Sequence, residues 1–98
     1  MAAIDTYTAL MMVKTRLNRL PTDHTLDEYL YARIDAAVQA LEATGIILTD
    51  STADMLLVVD YTVWEYQNRD KPGGMPDWLR LRRRERWLQQ RRPVNESG

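Results

Sequence analysis

Between Thr52 and Arg69 the chain is apolar on almost every side of a helix, and that one segment limits what the rest can be. Met55, Val59, Val63 and Tyr66 share one side, and Leu57, Tyr61 and Trp64 share the other. Asp60, Gln67 and the Glu65/Arg69 pair at spacing four break the girdle. A helix that is apolar all round belongs at the centre of a fold or among subunits, so the other elements must be arranged about it. Asp60 is the acid expected to be buried there, paired with an arginine or capping a neighbouring turn rather than acting as a base.

The remaining apolar spacing is helical too, with no convincing period-two alternation. A first helix is expected from about Thr6 to Arg19. Ala9, Leu10, Val13, Leu17 and Leu20 lie on one face, and Pro21 ends it. Thr25–Glu28 fits a capping box that opens a second helix, which stops at Gly45 in a left-handed position. Leu26, Leu30, Ile34, Ala37, Val38 and Leu41 make the main face of this helix. Ala32, Ala36 and Ala40, beside Tyr29, form a second row that lets another helix approach. Ile46–Leu48 is a short, strand-like link, and Thr49-Asp50-Ser51 offers N-caps for the central helix. After the break at Lys71-Pro72-Gly73-Gly74, Pro76 and Asp77 open a fourth helix. The expected fold class is all-α: a small bundle of about four helices with a protruding Arg-rich C-terminal helix or arm. Residues 1–74 would be the core domain and residues 75–98 the interface arm, ending in a polar tail from Pro93. Leu30, Ile34, Leu41, Trp64 and Tyr66 are the expected packing residues.

Charge separates the fourth helix from everything before it. Residues 80–92 hold seven of the thirteen Lys/Arg, whereas Met1–Trp78 carries six against twelve acids. Such asymmetry points to partner binding rather than to a catalytic pocket. At about 100° per residue, Trp78, Leu81 and Leu88 fall on one side of this helix, and Leu79 and Trp87 fall near the opposite side. Two apolar stripes with arginines between them describe a wedge between two surfaces. The expected interface is therefore Trp78, Leu79, Arg80, Leu81, Arg82, Arg83, Arg84, Arg86, Trp87, Leu88, Arg91 and Arg92, poorly satisfied within its own subunit. Arginine suits an acidic protein surface because its planar fork pairs with carboxylates and keeps its charge when desolvated. The alternatives are DNA phosphates and a plain solvated face. Against DNA, the remainder of the chain is acidic.

Other chemistry finds little footing. There is no cysteine for a disulfide, thiol nucleophile or Cys-based metal site. His24 stands alone among Asp23, Asp27 and Glu28, a pattern that fits a capped turn better than a metal site. No Gly-rich phosphate loop or catalytic Ser/His/Asp order is present. No catalytic residue, cofactor or metal is expected. The opening residues lack the pattern of a signal peptide, and the apolar stretches are too short to span a bilayer. The expectation is a soluble protein of a reducing compartment, without membrane contact.

One order of features carries a resemblance. Val13-Lys14 in the first helix precedes Asp23 and then Glu42-Ala43-Thr44-Gly45-Ile46. The run Trp64-Glu65-Tyr66-Gln67-Asn68-Arg69 follows, and after the Gly/Pro break comes Met75-Pro76-Asp77-Trp78-Leu79. From about Thr8 to Leu88 the chain resembles the head-tail connector (adaptor or head-completion) proteins of tailed bacteriophages. The resemblance implies an all-α subunit, made in the bacterial host cytoplasm, that assembles into a ring, commonly dodecameric, in the virion neck. Its implied partners are further copies of itself, the portal protein above and a stopper or tail-completion protein below. DNA would pass through without sequence-specific binding. The C-terminal part would be the arm that contacts the portal, although its arginine density exceeds what the family leads one to expect.

Overall fold

The computed structural model describes residues 3–91, so Arg92 and the expected polar tail lie outside the described residues. Four helices follow in order: α1 (Thr6–Arg16), α2 (Asp27–Ala43), α3 (Thr52–Gln67) and α4 (Asp77–Arg91). No strand occurs among the described residues, and the protein is a small all-α bundle. The three helices α1, α2 and α3 all touch one another, while α4 rests on α3. The apolar girdle explains this layout. Leu57, Val58, Val59, Tyr61, Thr62 and Val63 are all buried, so α3 contacts every other helix.

The bundle closes on itself through a core of Leu10, Val13, Leu30, Ile34, Leu41, Val58 and Val59, each essentially without solvent contact. Leu30, Ile34 and Leu41 are thus core residues as expected, whereas Trp64 and Tyr66 are partly buried at its edge. Trp64 meets Tyr61 edge-on at 6.1 Å, and Tyr66 meets Tyr29 in the same way at 6.1 Å.

Several expected boundaries shift for local reasons. The first helix ends at Arg16 rather than Arg19, because Asn18 takes the left-handed conformation (φ 60°) and reverses the chain before Pro21. Leu20 consequently leaves the apolar face and is exposed. The capping box does not form. The Thr25 hydroxyl donates instead to Asp23 Oδ1 at 2.7 Å, which also accepts the Thr25 N–H at 3.0 Å. The second helix starts at Asp27 with no side-chain cap on Leu26. Its end falls where expected, since Gly45 has φ 97°. Glu65 does not pair with Arg69. It pairs with Arg33 across to α2 at 3.1 Å, and Arg69 lies over the Tyr66 ring at 4.1 Å.

The α1–α2 corner is held by a residue that periodicity does not mark. Lys14 is 1% exposed, donating to the Pro21 carbonyl at 3.1 Å and pairing with Asp27 at 2.9 Å. Asp27 also meets His24 Nδ1 at 2.7 Å, and hydrogen bonds from His24 and Lys14 hold its carboxyl below the usual range.

Candidate functional site

The seating of α4 begins with two acids on α3. Ser51 caps α3, its Oγ accepting from the Asp54 N–H at 3.2 Å, and this fixes Asp54 in the first turn. The Asp54 side chain is 2% exposed and accepts from the Thr49 N–H at 2.7 Å and the Thr49 hydroxyl at 2.8 Å. Arg86 closes on it from α4 in a fork, Nε to Oδ1 at 2.7 Å and a terminal nitrogen to Oδ2 at 3.1 Å. One helical turn away, Arg82 pairs with Asp60, which Arg16 of α1 also approaches. Since residue 86 meets 54 and residue 82 meets 60, α4 runs antiparallel to α3.

Burial alone would raise both carboxyl pKa values. For Asp54, hydrogen bonds from Arg86 and Thr49 outweigh it, and for Asp60 those from Arg16 and Arg82 do, so both sit below the usual carboxylate range. Asp54 holds the guanidinium of Arg86 upward in return.

The link between α2 and α3 supplies the other half of the seat. Ile46 and Leu48 point inward and Ile47 outward, an alternation without a strand partner. Side chains of α4 take the partner's role. Gln90 donates to the Gly45 carbonyl at 2.6 Å and accepts the Ile47 N–H at 2.9 Å, while Arg86 donates to the Ile47 carbonyl at 2.7 Å. Trp87 lies on Gly45, where an added Cβ would come within 2.9 Å of the indole nitrogen. The glycine therefore serves both its own positive φ and the close approach of the indole.

These contacts divide the expected interface residues into two sets. Leu79 is fully buried, and Arg82 and Arg86 are spent on Asp60 and Asp54, so the expectation of a helix poorly satisfied within its own chain is corrected on this inner face. Trp87 is half-buried, with Arg91 over its ring at 4.9 Å. Facing outward are Trp78 (50% exposed), Leu81 (56%) and Leu88 (42%), beside Arg80 and Arg84. Arg83 is half-buried at the boundary, and Arg80 pairs with Asp77 on its own helix. The expectation of two apolar stripes therefore holds, with one facing the core and the other facing solvent.

Asp54 was missing from the expected set, and it is more deeply buried than Asp60, the acid singled out for that position. An acid in a first turn reads as a complement to the helix dipole. Only the partner thirty-two residues away reveals its other role.

An open groove of about 500 Å³ runs between α3 and α4, lined by Ala53, Leu57, Arg82, Glu85, Leu88 and Gln89 among others. Its buried acid, Asp54, is already paired. Among the described residues no group of three His, Cys, Asp or Glu is placed to hold a metal ion. No described helix is long and apolar enough to cross a membrane. Compared with known proteins, the chain matches no family model, no curated protein and no solved structure.

Proposed function

We propose that this chain is a structural subunit of a tailed-phage head-tail connector, forming a ring beneath the portal and linking the DNA-filled head to the stopper or tail. The observation that carries the reading is the division of α4. Its inner face is satisfied by Asp54, Asp60 and the Gly45–Leu48 link, yet its outer face still offers Trp78, Leu81 and Leu88 with Arg80 and Arg84. Exposed aromatic and aliphatic side chains rimmed by arginine are the composition of an interface core and its anchors. The resemblance of Met75–Leu79 and Trp64–Arg69 to connector subunits supports two partners for this face: other copies of the chain along Leu81–Arg91, and the portal at the Trp78 end. The role is assembly, with no chemical step.

The test is capture by purified portal rings. Arg82 and Arg86 hold α4 to its own bundle, so the informative charge reversal is Arg80→Glu/Arg83→Glu/Arg84→Glu. This variant should keep its helical content and lose docking. Normal docking at moderate salt would sink the proposal. The outward arginines also give a DNA-binding reading some footing. A gel shift that weakens steeply with salt, with no portal capture, would move the assignment there.

A further inference from the structure

We propose that copies of this chain associate head to tail, the outer face of α4 in one copy lying antiparallel on the outer face of α2 in the next. The two faces are complementary in charge. On α2, Glu28, Asp35 and Glu42 follow one another at spacing seven, hence on one side of the helix. All three are exposed, and among the described residues none is in an ion pair. The outward arc of α2 carries no cation, because Arg33 turns to Glu65 on α3. On α4 the outward cations are Arg80, Arg84 and Arg91. Each charged row has an apolar row beside it: exposed Ala32 and Ala36 on α2, and exposed Leu81 and Leu88 on α4. Small residues facing large ones let the helix axes approach.

The order of the rows sets the direction. Turning about either helix in the sense of increasing residue angle, the charged row comes first and the apolar row second. Two such faces packed parallel would set carboxylates against leucines. Packed antiparallel, charge meets charge and alanine meets leucine. Because Arg84 and Arg91 are also seven apart, the register that puts Asp35 opposite Arg84 puts Glu28 opposite Arg91. The α2 face turns away from α1 and α3, and the α4 face turns away from α3 apart from Leu88, whose side chain also borders the groove beside Ala53 and Leu57. They are different patches, so the contact is heterologous and repeats into a closed ring or an open filament. The inference deepens the connector reading by naming the self-contact, and it rests on that reading only for closure into a ring.

Sedimentation velocity on the full chain at low and high salt tests it. The wild type should associate, and less so at high salt. Glu28→Lys/Asp35→Lys and Arg80→Glu/Arg84→Glu/Arg91→Glu should each weaken association about tenfold or more, with unchanged circular dichroism. An equal mixture of the two variants should recover it, since each then meets the opposite sign. A monomeric wild type, an α2 variant that associates normally, or a mixture that fails to recover overturns the proposal. Direction is read by cross-linking in a chain with no cysteine of its own. Ala32→Cys should couple to Leu88→Cys in preference to Leu81→Cys, and the reverse preference overturns the antiparallel arrangement. Portal capture is scored separately. Loss of capture by the α4 variant alone, with self-association untouched by the α2 variant, removes the self-contact and leaves the connector reading. Rescue in the mixture without portal capture does the opposite.

Discussion

The three-helix unit and α4 are held by different forces. Between α1, α2 and α3 the contact is a continuous apolar core, with Leu30, Ile34, Ala37, Leu41, Val58 and Val59 all closed to solvent. Between α3 and α4 one fully buried apolar residue, Leu79, is joined by arginine–aspartate pairs and glutamine-to-backbone bonds. Apolar burial is non-directional and tolerates small shifts, whereas a forked ion pair fixes register and direction at a cost in desolvation. The three-helix unit is thus one apolar-packed body, and α4 is an appendage whose outer face is placed by the polar contacts of the inner one.

Breaking the first region should have the largest effect. Leu41→Ala removes a fully buried side chain from α2 and should cost roughly 2–5 kcal/mol in urea unfolding, felt by the whole domain. Asp54→Ala comes next, at about 3 kcal/mol, because Arg86 loses its buried partner. Its signature should be local: hydrogen exchange in α4 and at Ile47 should rise before exchange in α2 does. If α2 and α4 open together, the contrast between the regions is lost.

Acid probes the same seam more gently, since a protonated Asp54 keeps neutral hydrogen bonds. The folded pKa values of Asp54 and Asp60 lie below their ordinary 3.8. Their contribution is therefore present above the unfolded value and lost as pH falls through the folded one. Protection of the α4 amides, taken relative to their intrinsic exchange rates at each pH, should fall below about pH 4 while the core amides remain protected. Gly45→Ala should cost about 1–2 kcal/mol, through the positive φ and the indole of Trp87, and should free Trp87 fluorescence to solvent. Arg84→Ala should be the smallest, within about 0.5 kcal/mol, because it touches neither region's packing.

Much of the apolar part was legible beforehand. The all-round pattern of Thr52–Arg69 implies a central helix, and α3 is central because a girdle can be covered only from several sides. The opposed positions of Leu79 and Leu81 likewise imply two environments for α4, and they are 0% and 56% exposed. The polar part was much less legible. Local pattern cannot show that Arg86 and Gln90 take the place of a strand beside Ile47, since that contact spans about forty residues of chain. Thr25 had two partners within reach, and sequence alone favours Glu28 as readily as Asp23. The hydroxyl follows the nearer Asp23 turn, so the box fails.

The buried Lys14 bears on how the chain can be handled chemically. The chain has two lysines, Lys14 and Lys71. With Lys14 closed to solvent and Lys71 exposed in the break before α4, an amine-reactive dye on the folded protein would label one lysine side chain. That position is a reporter at the joint between bundle and appendage, placed without mutation. Acylation at Lys14, read by peptide mass, would mark the molecules in which the α1–α2 corner had come apart.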